Sequence, residues 1–214
     1  ETWFDGILQV KPGHYLKFDK EGLKQIKYYS LEDSVYENDN ESKSFYSYLE
    51  TFKEKIFNSF NQHTIFDVKA GIHQSGGLDS TALVAITKIL DKKFDTYTFD
   101  YENKNFSEVN NAKKLSKSAN LSNYTSLLKD ADLESYLNKV VEIQYEPFSS
   151  LRVVSNHHLY ENFKDDSKVI LDGSGGDEVF AGYHYHAVAW ELDMLKNKDF
   201  KRIDKRYDLI TKNH

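Results

Sequence analysis

Ser75-Gly76-Gly77-Leu78-Asp79-Ser80 lies between an apolar run and a helix-like segment. Upstream, Phe66-Asp67-Val68-Lys69-Ala70-Gly71-Ile72 alternates loosely and reads as a strand entering a sheet. Downstream, Thr81-Ala82-Leu83-Val84-Ala85-Ile86-Thr87-Lys88-Ile89-Leu90 puts its aliphatic residues on a broad helical face. Strand, Gly-Gly turn and helix N-terminus together make an anion site, because free backbone N–H groups and the helix dipole both favour negative charge there. Gly76 and Gly77 allow close approach of a phosphate, and Ser75 and Ser80 add hydroxyl donors. The loop has no lysine, so it is not a Walker A loop. Asp79 beside bound phosphate requires a metal ion between the two negative groups, which points to a cradle for pyrophosphate and magnesium.

Outward from this loop the pattern alternates. Strand 70–73 leads to a helix at 79–90, a strand at 94–100, a helix at 107–119 carrying Val109, Ala112, Leu115 and Ala119, and a strand at 123–127. Helices at 131–144 and about 153–163 follow, then a strand at 168–171. Such alternation predicts an α/β fold, a parallel sheet with helices on both faces, whose ligands lie at the carboxyl ends of the strands. Before it, residues 4–10, a turn at Lys11-Pro12-Gly13-His14 and residues 15–18 suggest a hairpin. A second turn at Asp19-Lys20-Glu21-Gly22 and a short strand through Tyr28 complete this region. Residues 32–44 read as a polar linker. A helix from about 44 to 60, with Phe45, Tyr48, Leu49, Phe52, Ile56 and Phe60 near helical spacing, reads as a packing helix. The expected organisation is a hairpin region at 1–31 and a nucleotide-binding domain at 44–214.

A second loop repeats the logic of the first. Val169-Ile170-Leu171 runs into Asp172-Gly173-Ser174-Gly175-Gly176, and Asp177-Glu178 opens a helix. Three glycines in four positions exceed what a helix cap requires. If this strand pairs with 70–73, Asp79 and Asp177 converge on one magnesium ion, which is commonly held by two carboxylates and substrate phosphates.

Composition narrows the function classes. The 214 residues are 39% hydrophobic and 14% aromatic, enough for a core supplied by Tyr and Phe. A formal charge of −6 argues against nucleic acid as the partner. The absence of cysteine removes disulfides, thiol nucleophiles and thiolate metal sites, and fits a reducing, cytoplasmic setting. No apolar run approaches the roughly 18 residues that a membrane span needs, and no signal peptide is visible. The pairs His157-His158 and His184-Tyr185-His186 do not share helix faces, so a histidine metal site is not expected. Glu108 reads as a dipole-matched helix cap. Tyr183, Tyr185 and Trp190 read as packing on the sheet, and residues 196–214, with Ile203, Tyr207 and Ile210 at helical spacing, as a peripheral helix.

The two loops also carry a resemblance. Ser75-Gly76-Gly77-Leu78-Asp79-Ser80 resembles the pyrophosphate loop of the N-type ATP pyrophosphatases, and residues 173–183 resemble the second signature of the asparagine synthetase branch. Phe4-Asp5-Gly6-Ile7, Lys11-Pro12-Gly13-His14-Tyr15-Leu16 and Tyr28-Tyr29 are similar to the segment joining glutaminase and synthetase domains in that family. The resemblance implies an adenine nucleotide alpha hydrolase-like fold and ATP as cosubstrate with Mg2+. A substrate carboxylate would attack the α-phosphate, pyrophosphate would leave, and ammonia or another amine donor would capture the acyl-adenylate as an amide. In the family, that ammonia is often released from glutamine by the partner glutaminase domain. Carried over by position, Ser75, Gly76, Gly77 and Ser80 would hold pyrophosphate, Asp79 and Asp177 magnesium, and Phe99 and Gly173 the nucleoside through backbone groups. Glu142 and Glu146 stand where the family has acidic residues near the active site, with Glu146, before Pro147, the better candidate. Asparagine synthetases resemble Ser-Gly-Glu-Gly-Ser-Asp-Glu at the second loop. Here Ser174 replaces the acidic residue and Asp172 the serine, which leaves the acyl substrate open and keeps a β-lactam or lasso-peptide cyclase-like synthetase as an alternative. No segment matches the surroundings of the family's downstream lysine, and no cysteine glutaminase precedes the loops, so a fragment is expected. A nucleotide-binding or interaction module without turnover is the second reading, and a homodimer is left open.

Overall fold

The computed structural model describes residues 2–36, 44–163 and 167–202. The chain divides into two compact units, one of residues 1–67 and 131–157 and the other of 68–130 and 158–214.

In the first unit, β1 (His14–Asp19) and β2 (Gly22–Lys27) pair antiparallel, from His14 opposite Lys27 to Asp19 opposite Gly22. Asp19 Oδ1 accepts from the Glu21 N–H at 2.9 Å, and Gly22 supplies the positive φ of 102° that the tight connection requires. The expected strand at 4–10 does not form. Ile7 N–H donates to the Phe4 carbonyl at 3.3 Å, and the Thr2 hydroxyl donates to the Ile7 carbonyl at 2.6 Å, so local turn bonds take the groups a ladder would use. Part of the expected linker is instead helical, as α1 (Leu31–Tyr36), with Glu32 and Asp33 in its first turn matching the dipole. The rest, residues 37–43, lies outside the described residues.

The helix expected at 44–60 is α2 (Phe45–His63), started by Ser44, whose side chain accepts from the Ser47 N–H at 3.2 Å. Of its apolar stripe only Phe60 is buried, while Phe45, Tyr48 and Phe52 are exposed. The unit also holds α5 (Leu133–Gln144), closed by Tyr145 at φ 55°.

The second unit is a four-stranded parallel sheet of β3 (Ala70–His73), β4 (Asp95–Tyr101), β5 (Asn123–Leu128) and β6 (Val169–Leu171), in the order β5-β4-β3-β6. From β3 the chain steps outward through α3 (Leu78–Ile89) to β4 and through α4 (Val109–Ser118) to β5. It then returns past both to place β6 on the opposite side of β3. Right-handed crossovers in opposite directions put helices on opposite faces.

The side chains agree with this. Ile72, fully buried, packs with Val84, Ala119 and Leu121 on the α3/α4 face. On that face the Thr96 hydroxyl bonds Ser116 Oγ of α4 at 2.8 Å. One residue along β3, His73 turns to the other face. There its ring meets Phe99 at 5.5 Å and Tyr160 of α6 (Arg152–Glu161) at 6.4 Å. Tyr97 shares that face, 4.0 Å between ring centroids from Phe163. The period-2 alternation of β3 and β4 thus covers both faces. Gly71 is glycine because a Cβ there would enter the ring of Tyr97. The strand order reverses between β3 and β6, so the loops leaving these two strands flank the switch point.

Candidate active site

The first loop leaves β3 after Gln74, whose N–H donates to the Tyr97 carbonyl at 2.8 Å. Gly76 takes φ 88°, and Gly77 is the N-cap of α3 with no side-chain cap. The serine hydroxyls turn inward: Ser75 Oγ lies 3.1 Å from Ser80 Oγ and accepts from the Gly77 N–H at 3.3 Å. Thr81 Oγ1 donates to the Gly77 carbonyl at 2.7 Å. These bonds fix the turn while leaving the first N–H groups of α3 uncapped by any side chain.

The second loop leaves β6. Asp172 Oδ1 accepts from the Ser174 N–H at 2.8 Å, and Gly175 adopts φ 94° ahead of α7 (Gly176–Phe180). The two loops meet at Asp79. A Cβ on Gly173 would stand 2.8 Å from Asp79 Cβ and 3.0 Å from the Ser80 nitrogen. A Cβ on Gly176 would stand 2.6 Å from the Asp79 carboxyl carbon. Gly173 and Gly176 thus leave the space that Asp79 occupies, while Gly175 is needed for its positive φ. Asp177 packs against Gly182, where a Cβ would collide with its carboxyl group, and its backbone carbonyl accepts from the Gly182 N–H at 3.2 Å.

Beyond α7, the Tyr183 hydroxyl donates to Glu178 Oε1 at 2.7 Å. This bond raises the Tyr183 phenol to about 12 and lowers the Glu178 carboxyl. Tyr183 also starts α8 (His184–Lys196), its N–H donating to His186 Nδ1 at 3.3 Å. Tyr183, Tyr185 and Trp190, expected to pack on the sheet, are instead 37%, 61% and 36% exposed. Tyr183 and Tyr185 stack on each other at 5.2 Å, because α8 places them at a helix start rather than over a strand. Ile203, Tyr207 and Ile210 lie outside the described residues.

Ser75, Gly76, Gly77, Asp79, Ser80, Phe99, Gly173 and Asp177 all belong to the sheet unit. Glu142 and Glu146 belong to the other unit, both exposed, Glu142 in the last turn of α5 and Glu146 just past it. Among the described residues no three acidic, histidine or cysteine side chains gather as a metal cluster, so magnesium here has two candidate carboxylates at most.

Sequence reading missed what Glu108 does. It occupies the N-cap of α4, yet its side chain makes no cap bond. Its Cβ lies 2.8 Å, and its carboxyl carbon 3.5 Å, from where a Gly76 Cβ would be. Only the positive φ of Gly76 and the return of the chain to β4's end bring the two together; no spacing signals it.

A parallel sheet with two glycine-rich loops facing each other across its switch point defines an α/β protein with a candidate ligand site at the carboxyl ends of its strands. The chain belongs to the asparagine synthase family, whose model matches residues 51–210. It is 28% identical over 151 residues to asparagine synthetase [glutamine-hydrolyzing] 1 of Bacillus subtilis (strain 168), covering 71% of this chain and 23% of that protein. It is 25% identical over 191 residues to a putative asparagine synthetase [glutamine-hydrolyzing] 2 of Methanocaldococcus jannaschii, covering 88% and 36%. The chain thus spans about a quarter to a third of the length of these curated relatives. Among solved structures it overlaps an NH3-dependent NAD synthetase from Campylobacter jejuni with a TM-score of 0.40 and 15% identity, over 66% of this chain and 62% of that one. No helix among the described residues is long and apolar enough to cross a membrane.

Proposed function

We propose that this chain supplies the ATP site of an asparagine synthetase-like ATP-dependent amidoligase. The observation that carries the reading is the nesting of Asp79, from the first loop, against Gly173 and Gly176 of the second. Family membership supports ATP as the cosubstrate. Pyrophosphate would sit on the uncapped N–H groups at the start of α3, with Gly76 and Gly77 permitting close approach; Ser75 and Ser80 would serve as hydroxyl donors on giving up their bonds to each other and to the Gly77 carbonyl. Phe99 and Gly173 would contact the nucleoside through their backbones.

Asp79 and Asp177 offer the hard carboxylate oxygens that magnesium takes, and Gly176 leaves room for the Asp79 carboxyl. These two residues would hold the ion, which supplies charge neutralisation of the leaving pyrophosphate. The acyl carboxylate attacks the α-phosphorus, the bond to the β-phosphate oxygen breaks, and an amine or ammonia then displaces AMP to give the amide. Preorganised donors around the leaving group are the main catalytic contribution of these residues. Glu146 and Glu142 are proposed on the acyl-substrate side, on the strength of the family resemblance. A glutaminase partner, a cytoplasmic setting and a hairpin region at 1–31 distinct from a synthetase domain at 44–214 belong to the same proposal.

The acyl substrate is open. Ser174 is exposed and neutral where asparagine synthetases resemble one another in an acidic residue, so the acyl donor need not be aspartate and a β-lactam or lasso-peptide cyclase-like synthetase stays the alternative.

The test is calorimetric titration with ATP, with and without magnesium, of the wild type and Asp79→Ala. Magnesium-dependent binding that is lost in the variant supports the reading. Equal binding by the folded variant removes Asp79 from the site.

A further inference from the structure

Glu108 is a carboxylate with no local task. At the N-cap of α4 its side chain makes no cap bond, while its backbone carbonyl accepts the ordinary first helical bonds from Asn111 and Ala112 at 3.1 and 3.0 Å. That side chain is exposed, with no hydrogen bond or ion pair among the described residues. Its side chain runs along the Gly76 turn. Residues 75–81 themselves contain neither Lys nor Arg. Lys104, on the connection leading to α4, is held by Asp100 at 2.7 Å. A fixed negative charge therefore borders the loop proposed to receive the most negative part of the nucleotide.

We propose that Glu108 is a specificity-determining residue that makes this site reject polyphosphate lacking its metal ion. The inference rests on the nucleotide reading above. ATP without magnesium carries two more negative charges than its magnesium complex, so repulsion from Glu108 falls mainly on the free form. Across about 6 Å of water-like dielectric, one fixed charge acting on a difference of two changes relative affinity roughly tenfold. The geometry also explains the side chain's position: a carboxylate lying along a phosphate loop is unfavourable unless the ligand brings its own cation.

The experiment measures dissociation constants for ATP in EDTA and for MgATP at low salt, on the wild-type chain, Glu108→Gln and Glu108→Asp, with circular dichroism confirming each fold. Glu108→Gln should raise the affinity for free ATP relative to MgATP roughly tenfold, while Glu108→Asp keeps the wild-type ratio. If both affinities move by one common factor, or the ratio stays unchanged in Glu108→Gln, the side chain is only a packing partner of Gly76 and the inference is overturned. If the folded wild type binds neither form, the nucleotide reading falls, and this inference with it. The two failures are distinguished by the wild-type titration alone.

Discussion

The Asp79 carboxyl group stands where a side chain on Gly176 would have to be, 2.6 Å from its carbon and 2.7 and 2.9 Å from its oxygens. One loop thereby keys into the other at the switch point.

Gly176→Ala should therefore act through Asp79. The added methyl group forces the carboxylate to move, so magnesium-dependent ATP affinity should fall about tenfold or more with little loss of stability, because both residues are at the rim. Combining it with Asp79→Ala should cost no more affinity than Asp79→Ala alone. A double-mutant cycle by calorimetry checks this, and additive losses would contradict the keyed geometry.

Gly71→Ala should act on folding instead. Its Cβ would enter the ring of Tyr97, which is 1% exposed and held between Phe163 and Tyr124. Overpacking at such a site costs about 1–3 kcal/mol. Urea denaturation should show a lowered midpoint.

Asp100, at the end of β4, bonds Lys104 and the Tyr101 N–H at 2.7 and 2.9 Å. Burial raises its carboxyl, but the bonds from Lys104, Ser107 and Tyr101 outweigh that and hold it below the ordinary 3.8. A depressed carboxylate stabilises the fold above its unfolded pKa and loses that contribution as pH falls through the lower folded value. The stability gap between wild type and Asp100→Asn should be open at about pH 6 and close toward about pH 3, measured by urea unfolding at each pH. A gap that widens on acidification would refute this assignment.

The hydrogen bond from Tyr183 lowers the Glu178 carboxyl, and the two residues close the turn in which Gly182 backs Asp177. In Tyr183→Phe the Glu178 carboxyl should titrate higher, followed by carbon NMR of labelled glutamate. An unchanged midpoint would mean that the bond does not persist in solution.

Some of this was legible in the residues themselves. Alternation of apolar strands with helical stretches depends on local periodicity, so the parallel sheet and the strand at 70–73 could be read directly, as could both glycine loops. Their meeting at Asp79 was conditional on which strand paired with β3, a question of loop return that no local pattern answers. The segment at 4–10 misled for a related reason. Its apolar residues suit a strand, but turn bonds of Thr2 and Phe4 took the groups that a neighbour strand would have needed.

By itself, the sequence determined the α/β class, the glycine-serine turn opening a helix at Ser75 and the acidic nature of the second loop, because each rests on residues adjacent in the chain. Only the tertiary structure decided that Gly176 makes room for Asp79, that Glu108 borders Gly76, and that Tyr183 braces Glu178 rather than packing on the sheet. The first two join residues brought together by strand order, and all three turn on side-chain directions. Both are set by how the whole sheet packs, not by any one segment's preference.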